Sequence, residues 1–157
     1  MAHEDSVTIW TDGACIGNPG AGGYGVLMLQ GGRQKELSGG YRKTTNNRME
    51  LLAVIEGLRA LKQRCRVTLF SDSQYVVNAV NKGWAKKWKA NGWRRNKKEL
   101  ALNPDLWEML LEQNARHDVE YRWVRGHAGD AGNERADALA VKASRGPELA
   151  VDQGYKA

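Results

Sequence analysis

Four acidic residues of this 157-residue chain have the types and positions that would suit a divalent cation: Asp12, Glu50, Asp72 and Asp137. Asp12 ends the hydrophobic run Val7-Thr8-Ile9-Trp10-Thr11, and Asp72 ends a second run, Val67-Thr68-Leu69-Phe70-Ser71. Glu50 opens one helical pattern and Asp137 lies in the first turns of another. If the two runs are neighbouring strands, their carboxylates meet at one sheet edge. Crowded carboxylates repel each other unless a cation neutralises them. A donor set without Cys or His suits hard cations such as Mg²⁺ or Mn²⁺. Taken singly, Asp12 reads as a turn residue, Asp72 as a helix cap, Glu50 as a helix N-terminal acid and Asp137 as a solvated acid. Their convergence favours the metal site.

A second set surrounds the first. Asn18, Asn46 and Gln74 each lie near an acid, and side-chain amides both donate and accept. Turn chemistry explains Asn18 and capping explains Asn46, but glutamine is a poor cap, which makes Gln74 the more informative. His127, in Gly126-His127-Ala128-Gly129-Asp130-Ala131-Gly132, is a histidine on a glycine-rich loop, suited either to moving protons near neutral pH or to a plain surface position.

The net charge of +6 is concentrated. Lys82 to Lys98 holds eight Lys and Arg residues and no acid, whereas the rest of the chain carries 16 basic and 18 acidic residues. A positive excess confined to one segment points to a polyanion partner. Trp84, Trp88 and Trp93 lie among these charges, with Trp84 and Trp88 at i, i+4. They are expected to form a small apolar platform, with some rings available to stack on sugar or base.

The elements that must position these residues are legible. Ser6 to Asp12, Tyr24 to Gln30, Arg33 to Tyr41, Arg66 to Ser71 and Val119 to Arg125 read as strands. Gly31-Gly32 marks a hairpin, and Gly39-Gly40 a bulge or bend. Leu51, Val54, Ile55, Leu58 and Leu61 follow a helical period, with Asn47 and Glu50 resembling a capping box. Ser73 to Asn81 is a short helix closed by Gly83. Asn103-Pro104 opens a helix reaching Arg116, and Asn133 is expected to cap the last helix, which ends near Ser144. The resulting fold class is α/β. A three-stranded antiparallel meander precedes two right-handed crossovers, giving a mixed five-stranded sheet of order 3-2-1-4-5 with strands four and five parallel to strand one. Ligands of open α/β sheets bind where the build direction reverses, and Asp12 and Asp72 occupy that point.

Length and composition bound the rest. A chain of this size is read as one domain, residues 1–145, with a basic handle at about 82–98 and a flexible tail over 146–157. Met1-Ala2-His3-Glu4-Asp5 lacks the character of a signal peptide, and no apolar stretch approaches a membrane span. Cys15 and Cys65 are read as free thiols of a cytoplasmic protein.

Five spaced motifs carry a family resemblance: Thr11-Asp12-Gly13-Ala14-Cys15 with Gly17-Asn18-Pro19-Gly20; Thr45-Asn46-Asn47-Arg48-Met49-Glu50; Ser71-Asp72-Ser73-Gln74-Tyr75-Val76; the tryptophan-bearing basic handle; and Gly126-His127 followed by Asn133-Glu134-Arg135-Ala136-Asp137. Over residues 6 to 144 the chain resembles the bacterial type 1 ribonuclease H family (ribonuclease HI). The resemblance implies an endonuclease without strong sequence specificity that cuts the RNA strand of RNA–DNA hybrids, leaving 5′-phosphate and 3′-hydroxyl ends. It implies that Asp12, Glu50, Asp72 and Asp137 hold two Mg²⁺ ions, with Mn²⁺ a substitute, and that His127 assists proton transfer or product release. By the same resemblance Asn18, Asn46 and Gln74 meet the minor groove, Thr45 with Asn18 binds a DNA-strand phosphate, and Cys15 and Asn47 face substrate. The handle, with Trp84, Lys86, Lys87, Trp88, Lys89, Trp93, Arg94 and Arg95, grips the DNA strand. A monomer without an obligatory protein partner is the default expectation. Many relatives place proline just before the asparagine matching Asn133; Ala131-Gly132 stands here, implying a looser His127 loop. The rival reading is a nucleic-acid-binding module without catalysis, for which the handle alone suffices.

Overall fold

The computed structural model describes residues 6–156, so the reading of Met1 to Asp5 lies outside the described residues. Strands β1 (Ser6–Cys15), β2 (Gly20–Gln30) and β3 (Arg33–Thr44) form the meander. Helix α1 (Asn46–Arg59), strand β4 (Arg66–Ser71), helices α2 (Gln74–Asn81), α3 (Trp84–Ala90) and α4 (Pro104–Arg116), strand β5 (Asp118–Trp123) and helix α5 (Ala131–Ser144) follow. The sheet order is β3-β2-β1-β4-β5, with β1–β2 and β2–β3 antiparallel and β4 and β5 parallel to β1 and to each other, as the crossover argument predicts.

Strand alternation sorts the side chains into two layers. Ile9 and Val26 lie against Gly57 of α1, and Leu51, Val54, Ile55 and Leu58 of that helix are fully buried there. Helix α5 covers the other face at backbone contact distance. A Cβ at Gly23 would stand 2.5 Å from the Ala140 carbonyl oxygen, and one at Gly25 would overlap the Ala136 carbonyl. Glycine here serves close approach of helix to sheet. The handle is rooted in the core through Trp107, which is fully buried; its indole donates to Tyr75 Oη at 2.9 Å and its ring meets Trp88 edge-on, with centroids 5.9 Å apart.

Local details depart from the sequence reading for identifiable reasons. Thr45, not Asn47, caps α1: its side chain accepts from the Arg48 amide at 3.2 Å. Asp130, not Asn133, caps α5, accepting from the Asn133 amide at 2.8 Å. In both cases the helix begins earlier than the apolar period does, because the cap residue precedes the buried face. Asn103 does stand at the N-cap of α4, but with left-handed φ of 57° and no capping hydrogen bond; its side chain instead accepts from Arg48 and donates to Tyr75. Gly39 and Gly40 keep regular register, and the irregularity falls between Gly20 and Gly22. Gly40 is explained by crowding, since a Cβ there would overlap the Ala143 carbonyl.

The expected flexible tail is docked. The Arg42 amide donates to the Ala150 carbonyl and the Ala150 amide to that of Gly40, extending the β3 edge. Asp152 then receives Arg48 at 2.7 Å and the Thr44 hydroxyl at 2.6 Å. Arg48, only 3% exposed, also pairs with Asp105 at 2.7 Å, so one guanidinium ties α1 to α4 and to the tail. A buried cation needs such partners. The low apolar content that reads as a loose end conceals this ionic anchor. Cys15 is a free thiol, and no helix among the described residues is long and apolar enough to cross a membrane.

Candidate active site

Parallel pairing of β1 with β4 stops at Thr11 and Ser71, so Asp12 and Asp72 lie side by side just past it; Asp72 follows the end of β4, but Asp12 does not end β1 as the sequence suggested, because the strand runs on to Cys15 against β2. Glu50 arrives from the first turns of α1. Its approach depends on Gly13: a Cβ there would lie 2.5 Å from the Glu50 amide nitrogen and 2.7 Å from the Met49 carbonyl carbon. With hydrogen in that place, the helix backbone rests directly on the strand. One carboxylate oxygen each from Asp12, Glu50 and Asp72 then lies within 4.8 Å of the others. Asp137, on α5, is near enough to Asp12 to add slightly to the raising of its carboxyl, but it is not among the three residues whose oxygens converge.

The electrostatics match a site built for a cation. Asp12 and Glu50 are 4% and 3% exposed. Burial, first of all, holds both carboxyls above their ordinary range; Glu50 adds to the effect on Asp12, and Asp72 adds to both. Glu50 Oε1 is buried with no hydrogen-bond partner. An all-oxygen donor set with an orphaned buried oxygen, in carboxyls that resist ionising together without a counter-charge, fits a hard divalent cation.

The other sequence-selected residues differ in placement. Asn18 and Asn46 are brought together: Asn18 Oδ1 accepts from the Asn46 amide at 2.9 Å, which joins the Gly17–Gly20 turn to the α1 N-terminus. Gln74 is exposed in the first turn of α2, two residues past Asp72. His127 is exposed with left-handed φ of 56°, and its neighbour Gly126 lies so close to Asp72 that a Cβ there would stand 2.8 Å from Oδ2. Cys15 is half-buried, its thiol directed to the Thr44 and Gly20 carbonyls.

The handle divides by role. Trp88 and Trp93 pack on the core, whereas Trp84 is exposed with Lys82 Nζ 5.1 Å from its ring centre. Lys89 pairs with Glu108 at 3.1 Å and Arg95 with Glu99, while the Arg94 guanidinium donates to the Lys97 carbonyl. Lys86 and Lys87 are exposed on α3. Between the handle, the α1 N-terminus and the docked tail runs a groove of about 900 Å³, lined by Asn18, Thr45, Asn47, Trp93, Tyr155 and Lys156 among others.

Two contributors escape the sequence reading. Arg48 had no visible partner, because its aspartates lie 57 and 104 residues away. Trp123 is exposed at the end of β5, and its indole donates to the Asp72 carbonyl at 3.1 Å. No signal in the sequence marked Trp123; its place opposite Ser71 is set by the β4–β5 register of the folded sheet.

The family model for RNase H matches residues 4–145. A ribonuclease H of Syntrophus aciditrophicus (strain SB) is 64% identical over 152 residues, covering 97% of this chain and 88% of the relative. The crystal structure of LC9-RNase H1, a type 1 RNase H with the type 2 active-site motif, superposes with a TM-score of 0.80 at 36% identity, covering 89% of this chain and 72% of that one. LC11-RNase H1 in complex with RNA/DNA hybrid shares the fold, with a TM-score of 0.67 at 22% identity and coverage of 94% and 97%. On this sequence identity, near-complete coverage and common fold, the chain belongs to the ribonuclease H family of endoribonuclease hydrolases.

Proposed function

We propose that this protein hydrolyses the RNA strand of RNA–DNA hybrids without strong sequence preference, using two Mg²⁺ ions held by Asp12, Glu50, Asp72 and Asp137, and leaves 5′-phosphate and 3′-hydroxyl ends. The observation that carries the reading is the buried carboxylate trio whose oxygens converge within 4.8 Å. Bound divalent cations supply an activated water and charge stabilisation at the departing oxygen. The chain supplies the rest. Burial keeps bulk water from screening the carboxylates. His127, on the adjoining loop, moves a proton or aids product departure. Mn²⁺ is a workable substitute. A purely binding module is the weaker reading, because buried acids beside a polyanion groove would only oppose binding.

Recognition follows from what remains exposed. Thr45 uses one hydroxyl lone pair as a cap and Asn18 uses its carbonyl on Asn46, which leaves the hydroxyl hydrogen and the amide hydrogens to donate to a DNA-strand phosphate. Asn46 and Gln74 read 2′-hydroxyls and base edges from the minor groove, and Cys15 and Asn47 face the substrate nearby. The 900 Å³ groove, with Trp93 as one wall, takes the deoxy strand. Trp84, Trp88, Lys86, Lys87, Lys89, Arg94 and Arg95 form the handle's contribution. The protein acts as a monomer in the cytoplasm, with no obligatory protein partner.

The test is cleavage of a labelled hybrid against duplex RNA, duplex DNA and single strands, with and without Mg²⁺. Metal-dependent cutting of the hybrid's RNA strand is expected, with duplex RNA at least tenfold poorer. Equal cutting of duplex RNA and hybrid would contradict the recognition scheme. The handle has its own expected result. Lys86→Ala with Lys87→Ala raises KM severalfold, leaves kcat within about twofold and lowers the salt slope of binding by about two, since each phosphate contact contributes roughly 0.7–0.9. An unaltered slope with a large kcat loss would remove the handle from phosphate binding.

A further inference from the structure

Gly132 occupies the first turn of α5, where alanine ordinarily makes a more stable helix. Space, not propensity, explains the glycine. A methyl group built on Gly132 would overlap Cε2, Cδ2 and Nε1 of Trp10. The Trp10 ring stacks on Phe70 across the β1–β4 pair, with centroids 5.4 Å apart and planes 19° apart, so it cannot swing away without leaving its neighbour. Its indole nitrogen is buried without a hydrogen-bond partner, so the ring is held by shape alone.

Three close approaches thus seat α5 on the sheet: Gly132 on Trp10, the Ala136 carbonyl on Gly25, and the Ala140 carbonyl on Gly23. Asp137 follows the second of these, and Trp10 stands two residues before Asp12 on β1. The strand that presents one carboxylate therefore also carries the platform that limits how deeply the helix presenting another can settle. We propose that Trp10 and Gly132 form a matched pair whose task is to set the depth of the α5 N-terminus, and through it the distance between Asp137 and the Asp12 carboxylate. Both are positioning residues. The inference rests on the reading of Asp137 as a metal-site residue.

The experiment compares wild type, Gly132→Ala, Trp10→Leu and the double variant, by urea unfolding in EDTA, Mn²⁺ titration, and kcat and KM on a labelled hybrid. With Trp10 in place, Gly132→Ala is expected to lower kcat at least tenfold and weaken Mn²⁺ binding severalfold, with KM for hybrid within twofold. In the Trp10→Leu background the same substitution is expected to change kcat and Mn²⁺ affinity less than twofold and to leave the urea midpoint equal or higher. Equal losses in both backgrounds, or no loss with Trp10 in place, overturn the pairing. If Gly132→Ala does not fold, folding of the double variant supports the pair and its failure overturns it. A wild-type protein that binds Mn²⁺ but cuts no hybrid would defeat the proposed function, while the Mn²⁺ titrations and unfolding curves still decide the pair.

Discussion

Asp12→Asn is expected to lower the rate of hybrid cleavage by roughly 10³-fold or more, the scale on which loss of a central electrostatic group acts, and at the same time to make the metal-free protein more stable. The two effects share one cause. Asp12 is buried and faces Glu50 and Asp72, so its carboxyl stays protonated well above the ordinary range. The folded state therefore holds a proton that the unfolded chain releases. That contribution is fully present below the unfolded carboxylate value and is lost as pH rises toward the raised folded value. At pH 7 in EDTA the wild-type fold must hold a proton that the unfolded chain has given up, which weakens it, and the amide removes that requirement. A gain of about 1–3 kcal/mol is expected, or several degrees in Tm for a chain of this size. Thermal unfolding in EDTA checks it: the difference between variant and wild type should shrink toward pH 4. An active Asp12→Asn protein, free of host nuclease, would remove the metal assignment; equal stability at pH 7 would remove the electrostatic account.

Arg48→Ala is expected to act in the opposite sense. The guanidinium is 3% exposed and holds Asp152 through Nε and Nη2, at 2.7 and 3.0 Å, and Asp105 through Nη1 and Nη2, at 2.9 and 2.7 Å. Burial alone would push both aspartates up, but Arg48's hydrogen bonds and charge bring them below their ordinary range. Their contribution is present above the unfolded aspartate value and is lost as pH falls through the lowered folded values. Removing Arg48 strands Asp152, which is 10% exposed, beside a cavity; a cost of about 3 kcal/mol follows. Urea unfolding at pH 7 and pH 3 measures it. The loss should be large at pH 7 and much smaller at pH 3, and the tail over 149–156 should become protease-sensitive. A loss of the same size at both values would show that packing, not charge, holds the tail. The two variants thus separate two charge clusters: a carboxylate cluster that weakens the metal-free fold at neutral pH, and an ionic clasp around buried Arg48 that strengthens it.

Strands β1 and β4 were legible because each contains a β-branched and aromatic run, β2 and β3 because Gly31-Gly32 marks the hairpin between them, and the sheet order followed from the handedness of two crossovers. The acids that follow the two apolar runs were visible for the same reason, although β1 continues past Asp12 to Cys15. Helix starts were less so. Thr45 and Asp130 cap their helices one or more turns before the apolar period declares itself, and Asn47 and Asn133, with equally good capping chemistry, lie just inside. Capping propensity selects a residue type, whereas the backbone hydrogen bond selects the position. The handle shows a similar split. Its charge was countable in the sequence, but nothing in the spacing tells that Lys89 and Arg95 meet acids while Trp88 turns toward Trp107.

Local chemistry, written in consecutive residues, was enough to establish the sheet, the acids at its edge, the basic segment and the family. Packing between distant segments was not. That Gly13 admits α1, that Trp10 admits only glycine at 132, and that Arg48 gathers two aspartates from far along the chain are facts about atoms in contact. Periodicity reports which face of an element is apolar; it carries no information about how closely two backbones approach or which charge a buried cation will find. Those are settled by excluded volume and desolvation, which act only once the chain has closed on itself.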